Sequence, residues 1–376
     1  MLGWWMVAGS AAVVALASLF SERGRAAYVR TRLAQRPEAL PPATVIVPVK
    51  GDDEGLRENL AALGALDYPD YELIVTAQSA ADIPSGALPR RVKVVLAHGG
   101  SAEASEKVRN LAAAVAAARR DSEVVAFADS DARVTAGWLR ALVAPLEEAG
   151  VGASTGYRFF VPARAGVWSS LRAVWDGAVY GLLGRGDNPF AWGGSMAIRT
   201  EVFYATGVAV HWKDAISDDY ALSRAVHGAG LRIAFAPGAL APSAERITAC
   251  GFFAWSRRQM LVTRVHAPGL WGKALAAHVL YCGGMAAASV AWFHGSAAAP
   301  WVLAALLLPG MAKGFLRTRR ARAALPSYAA WFRRWGWVHT VLTPLVAWLW
   351  LIALLGSAYG NSIVWRGRRY RLRRGA

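Results

Sequence analysis

Four stretches of this chain, 2–20, 274–293, 297–315 and 335–359, are long, apolar and nearly free of charge. A run of about 20 apolar residues suffices for a helix to cross the hydrocarbon core of a bilayer. Lipid offers no hydrogen-bond partners, so such runs must satisfy their own backbone as helices. The first run is followed by Arg23, Arg25, Arg30, Arg32 and Arg36. A cleaved signal peptide carries its positive charge before the apolar run, not after it. Residues 1–21 therefore read as an uncleaved transmembrane anchor and 22–40 as a basic linker. The positive-inside rule places the N-terminus outside and the following chain in the cytoplasm.

The same rule organises the C-terminal third. Residues 272–316 read as a transmembrane hairpin and 317–334 as a basic cytoplasmic loop. The last run, 335–360, contains Pro344 and the interface-favouring Trp335, Trp337, Trp348 and Trp350. One more full crossing would carry the basic segment 361–376 outside. The expectation is that Pro344 interrupts this run and that it re-enters or lies at the interface. Charge supports the division: the formal net charge is +17, of which +12 falls in 317–376 and +3 in 21–40. Basicity confined to the flanks of apolar runs is a topology signal, unlike the polar basic surface of a nucleic-acid binder. With 55% hydrophobic residues the chain is not disordered. Two cysteines, Cys250 and Cys282, make no disulfide framework.

Between the anchor and the hairpin the pattern is that of a soluble α/β domain, 41–249. Short apolar runs at 44–49, 71–76, 92–96, 124–127 and 152–156 alternate with helix-like segments at 57–66 and 107–119. Such alternation predicts a sheet with a largely parallel core. Residues 250–271 contain FFAWSRRQMLVTRV, with aromatics in one part and Arg257, Arg258 and Arg264 in another. That composition predicts an interfacial amphipathic helix whose guanidinium groups can reach phosphates.

Three local motifs carry chemistry. In VVAFADSDARV a strand delivers Asp129 and Asp131 to its C-terminal end, where open α/β sheets bind ligands. Paired carboxylates there suit Mg²⁺ or Mn²⁺ bridging a diphosphate; a solvated acidic turn uses the same residues. Asp218 and Asp219 are adjacent carboxylates able to raise one another's pKa and supply a base, or to cap the helix that follows. Gly193 and Gly194, after Trp192, permit close backbone approach to a ligand or a plain tight turn.

Taken in order, VIVPVKG, LDYPDYELIV, EKVRNLAAAV, ADSDARV, GGSMAIR, SDDYALSRAVHGAGLRI and WRGRRYRLRRG resemble the ceramide glucosyltransferases. More broadly they resemble membrane-bound inverting glycosyltransferases of the family-2 type. The resemblance implies a GT-A fold, with a Rossmann-like mixed sheet, and a divalent cation, Mg²⁺ or Mn²⁺. It puts Asp129 and Asp131 on the metal and donor diphosphate, Asp219 as general base, and Lys107 on the donor side. Lys50 and Gly51, with Asp52 and Asp53, fall in the nucleotide-facing loop, and Trp192, Gly193, Gly194 and Asp218 on the acceptor side. Two departures stand out. Ser79 occupies the place of the family's first aspartate, with Asp82 as substitute; Leu261-Val262 replaces its Arg-Trp pair, with Arg258 and Arg264 as remaining donor-side cations. The implied function is transfer of a hexose, glucose, from a UDP-sugar to the hydroxyl of a lipid such as ceramide. The partners are then a nucleotide sugar, a lipid acceptor and the membrane, with no nucleic acid. Alternatives are transfer to diacylglycerol, a polyprenoid or a hopanoid, a processive polysaccharide synthase, and an inactive lipid-binding scaffold.

Overall fold

The computed structural model describes residues 2–99, 101, 103–162 and 166–373. The end of the basic C-terminal segment, 374–376, lies outside them. The helices are α1 (Leu2–Ala34), α2 (Leu56–Leu63), α3 (Glu106–Ala116), α4 (Trp138–Val143), α5 (Val167–Tyr180) and α6 (Thr200–Ala205). They continue with α7 (Val208–His211), α8 (Asp218–Gly228), α9 (Ala249–His266), α10 (Pro268–Phe293), α11 (Ala299–Ala324) and α12 (Ala329–Ser357). Two compact units result: one of residues 28–159 and 182–243, the other of 1–27, 160–181 and 244–375.

The first unit is built on strands β1 (Ala43–Pro48), β2 (Tyr71–Ala77), β3 (Lys93–Leu96), β4 (Val124–Ala128), β5 (Val151–Phe160), β6 (Ser195–Arg199) and β7 (Arg232–Ser243). Their order in the sheet is β3-β2-β1-β4-β6-β5-β7. β1 pairs in parallel with both β2 and β4, and β2 with β3, while β6 runs antiparallel to β4 and β5. The central strands are apolar without interruption because both faces of a parallel sheet are covered. Alternation along β1 divides the core. Val45 and Val47 pack with Leu56, Leu60 and Trp138 on one face; Ile46 packs with Val108, Phe127 and Trp212 on the other. The fold is thus mixed α/β with a parallel-dominated sheet, as expected. β5 is longer than the run at 152–156 suggested: aromatic residues of high strand propensity, Tyr157, Phe159 and Phe160, carry it on.

Among the described residues, four helices are long and apolar enough to cross a membrane: Trp5–Ala34, Pro268–Phe293, Ala299–Ala324 and Pro326–Ser357. Two expectations are corrected. The segment read as a linker, 22–40, is helical as far as Ala34, because its Arg and Ala residues are good helix formers and nothing before Pro37 stops the helix. Nor does Pro344 interrupt the last run: α12 is one helix of 29 residues. A proline in a helix forfeits one backbone hydrogen bond and crowds the preceding turn. Here the Pro344 ring packs over Gly310, where an added Cβ would lie 3.0 Å from the proline Cβ. After α12 the basic terminus forms a hairpin, β8 (Ser362–Trp365) and β9 (Arg368–Arg371). It turns at Arg366 and Gly367, with φ of 45° and 77°, the pair of positive angles that tight hairpins need.

Candidate active site

The D-x-D segment leaves the C-terminal end of β4, and its middle residue fixes it. Ser130 donates its hydroxyl to Asp53 in the loop after β1, and its carbonyl accepts from Asn59 Nδ2 at 3.0 Å. With Ser130 held inward at 5% exposure, Asp129 and Asp131 turn outward on either side. Lys107, in the first turn of α3, places Nζ 2.8 Å from Asp129 Oδ1 and 3.1 Å from Asp218 Oδ2. Arg158, on β5, completes the group. Its Nη2 lies 3.3 Å from Asp129 Oδ2 and 2.9 Å from Asp131 Oδ1, and its guanidinium carbon stands 5.1 Å from the centre of the Trp192 ring. Burial by itself would depress the Lys107 ammonium, but Asp129 and Asp218 outweigh it and hold the group above its ordinary pKa. Asp218 is pushed up to about 6, chiefly by burial, with Lys107 opposing and Asp219 and Asp129 assisting.

Asp219 opens α8 beside Asp218 but has different surroundings. Its Oδ1 accepts from the Ser217 hydroxyl and from Tyr220 N at 2.8 Å, and its Oδ2 from Gly193 N at 3.5 Å. The Trp192–Gly194 turn is pinned from three sides. Trp192 N donates to Thr155 Oγ1, Ala191 N to Ser223 Oγ, and the Ser223 hydroxyl to the Asp219 carbonyl. Neither glycine leaves room for a side chain. A Cβ on Gly193 would lie 2.2 Å from Asp218 Oδ2, and one on Gly194 2.5 Å from Asp129 Oδ2 and 2.2 Å from the Trp192 ring.

Of the residues expected in a site, the fold brings together Lys107, Asp129, Asp131, Trp192, Gly193, Gly194, Asp218 and Asp219. Lys50 pairs with Glu106, the neighbour of Lys107. Gly51 N donates to the Asp82 carbonyl at 2.7 Å, with Gly51 at φ 72°. The Asp82 carboxylate itself accepts from Ser79 N and Oγ, closing its own turn. Arg258 and Arg264 belong to α9 in the other unit, where Arg264 donates to Gly360 O and Asn361 Oδ1. Sequence reasoning missed Arg158, and the one signal for it was a lone cation in the otherwise apolar and small GASTGYRFF. It also missed Ser130, which only the fold connects to Asp53.

Among the described residues no three His, Cys, Asp or Glu side chains gather to hold a metal by themselves. Asp129 and Asp131 offer two carboxylates, 23% and 15% exposed, in a cradle that glycine keeps open. That donor set fits Mg²⁺ or Mn²⁺, which take one or two carboxylates and complete their shell with water and substrate phosphates.

The site thus sets paired carboxylates beyond β4 of a mixed sheet and a second pair at the head of α8. Residues 10–376 match Glycosyl transferase family 21, and the chain belongs to that family. Among solved structures it is similar to a mannosyltransferase from Pyrobaculum calidifontis in complex with GDP-mannose and Mn²⁺. The two are 19% identical, with 93% of this chain and 99% of that one covered and a TM-score of 0.49. It is also similar to glucosyl-3-phosphoglycerate synthase from Mycobacterium tuberculosis in complex with Mn²⁺, UDP and glucosyl-3-phosphoglycerate. There the identity is 18%, with 65% and 84% of the chains covered and a TM-score of 0.38. No match was found among curated sequences.

Proposed function

We propose that this glycosyltransferase moves a hexose, glucose, from a UDP-sugar to the hydroxyl of a membrane lipid such as ceramide, with inversion at the anomeric carbon. The observation that carries the reading is the meeting of Lys107, Arg158, Asp129 and Asp131 beside Asp218 and Asp219. Two cations and two carboxylates suit the leaving nucleoside diphosphate, and the remaining pair serves the acceptor. Lys107 and Arg158 hold the diphosphate oxygens, Arg158 through a planar fork matched to phosphate. A divalent cation held by Asp129 and Asp131 would neutralise charge developing on the leaving group.

Asp219 accepts the proton of the acceptor hydroxyl. Its carboxylate is half-exposed and oriented by Ser217, Tyr220 N and Gly193 N, whereas Asp218 is buried against Lys107. The freed oxygen attacks the anomeric carbon on the face opposite the diphosphate, so the configuration inverts. Asp218 positions Lys107, and Trp192 forms a ring face beside the turn where the sugar and acceptor meet. Lys50 and Gly51 border the nucleotide, with Asp82 closing the next loop. Arg258 and Arg264 serve as further phosphate-reaching cations. A lipid acceptor is supported by a transferase domain that shares its chain with the apolar helices, and the arginines in the C-terminal part of α1 favour a cytoplasmic active site.

Membranes containing the protein, incubated with a panel of labelled nucleotide sugars, are expected to yield a glycolipid identifiable by mass spectrometry. Asp219→Asn is expected to lower the rate by about 10²-fold or more, the usual share of a general base. Equal turnover by wild type and Asp219→Asn with every donor would overturn the assignment.

A further inference from the structure

The helical unit holds a second group of charges. Glu22, on α1, has a side chain only 1% exposed, with Arg320 Nη2 2.7 Å away and Arg317 Nε and Arg25 Nη1 at 3.2 and 3.5 Å. One turn earlier, Ser18 accepts a hydrogen bond from Lys313 Nζ at 2.8 Å. Among the described residues, Glu22 is the one carboxylate paired with both Arg317 and Arg320, and next to them an ammonium rests on a neutral hydroxyl. Arg320 is 3% exposed. Its Nε is buried without a hydrogen-bond acceptor, its Nη2 meets Glu22 without hydrogen-bond geometry, and its guanidinium stands 5.3 Å from the centre of the Tyr180 ring. Arg317 is seated just as closely: a Cβ on Gly181 would lie 2.4 Å from its Nε.

A buried charge is costly unless paired and hydrogen-bonded, and among the described residues one carboxylate serves Arg317 and Arg320 together while Lys313 has none. What complements this set is an anion with several acceptor oxygens, since guanidinium groups bind phosphate in bidentate fashion and lysine binds it as a point charge. Arg317 remains 16% exposed and Lys313 half-buried, which leaves an edge open to approach. That edge lies where the apolar runs of α1 and α11 give way to their arginine-rich ends, the depth of lipid headgroups. Basic pockets between membrane helices bind anionic headgroups there.

We propose that Lys313, Arg317 and Arg320, oriented by Glu22, form a binding site for a phosphate-bearing anion, occupied in the membrane by the headgroup of an anionic phospholipid. Glu22 keeps the guanidinium groups together until the phosphate takes the N–H groups left without acceptors.

The test uses the full chain purified in neutral detergent, melted with added phosphatidylglycerol, phosphatidylcholine or inorganic phosphate. Lys313→Met, which removes the cation held only by a hydroxyl among the described residues, is melted alongside. Phosphatidylglycerol is expected to raise the wild-type midpoint by several degrees, phosphatidylcholine to leave it unchanged, and Lys313→Met to lose at least half of the rise. Native mass spectrometry of wild type alone is expected to retain phosphatidylglycerol in preference to phosphatidylcholine, a measurement that needs no variant to fold. An equal rise with inorganic phosphate, lost in Lys313→Met, would support the same site with a free anion as its occupant. No rise with either anion in wild type, no selective retention, or an undiminished rise in Lys313→Met would overturn it.

Discussion

Arg158 shows how a single side chain can decide the state of a carboxylate pair. Its guanidinium pairs with both Asp129 and Asp131, whereas the Lys107 ammonium that also pairs with Asp129 is shared with Asp218. Arg158→Ala is therefore expected to bind Mn²⁺ more tightly, by about fivefold for the loss of roughly 1 kcal/mol of competing ion pairing at a partly exposed site. It is expected at the same time to turn over more slowly, because a phosphate ligand is gone. Calorimetric Mn²⁺ titration separates the two effects; unchanged Mn²⁺ affinity would leave Arg158 a packing residue. The glycines make a second case. Gly194→Ala drives a Cβ into Asp129 and the Trp192 ring together, and overpacking of this kind costs about 1–3 kcal/mol. Activity and the thermal midpoint are both expected to fall, whereas Gly137→Ala, whose added Cβ meets nothing within 4 Å, should leave both near wild type. At this scale much of the site was legible. The carboxylates at 129, 131, 218 and 219 announce themselves because an acidic pair ending a buried strand or opening a helix is chemically conspicuous. Arg158 and Ser130 do not, since their importance lies in partners 27 and 77 residues away in the sequence, and no local pattern encodes such a distance.

Helices and strands were legible where periodicity and burial agree, and misread where one residue was given too much weight. β1 and β4 are β-branched or apolar runs covered on both faces, and β2 becomes one after Glu72, so their composition alone marks them. Pro344 was misread because a proline's local cost says nothing about the groove opposite it. α11 presents Gly310 and Gly314 to α12, and small residues let membrane helices approach closely. A Cβ on Gly314 would lie 2.2 Å from the His339 carbonyl oxygen, a backbone atom that cannot turn aside. Gly314→Ala is expected to destabilise the α11–α12 pair by about 1–3 kcal/mol, read as a lower midpoint in detergent. Gly272→Ala on α10 meets nothing within 4 Å and is the matched control. Equal midpoints for the two variants would mean that the helices do not pack through this glycine.

For the whole chain, the +17 charge and the helix directions meet in one question of topology. α1 and α11 run side by side in the same sense, since Ser18 and Glu22 on one meet Lys313 and Arg317 on the other. α12 runs opposite to α11, with Pro344 beside Gly310 and His339 beside Gly314. The end of α12 therefore points the way the start of α1 points. If both helices cross, the two ends of the chain emerge on one side. Charge alone argued otherwise, because six arginines follow α12 and the positive-inside rule would keep them with the arginines that follow the first apolar run. Yet the first helix usually dominates orientation, and α12 is the most apolar of the four, with mean hydropathy 2.0 against 1.5 for each of the others. A continuous apolar helix of that length has little to gain from re-entering the face it left. With Cys250 and Cys282 replaced, a cysteine at Ser362 and an N-terminal tag are expected to be reached by impermeant reagents from the same side. If the two ends report opposite sides, α12 returns within the membrane and the terminal arginines join the other basic segments on one face.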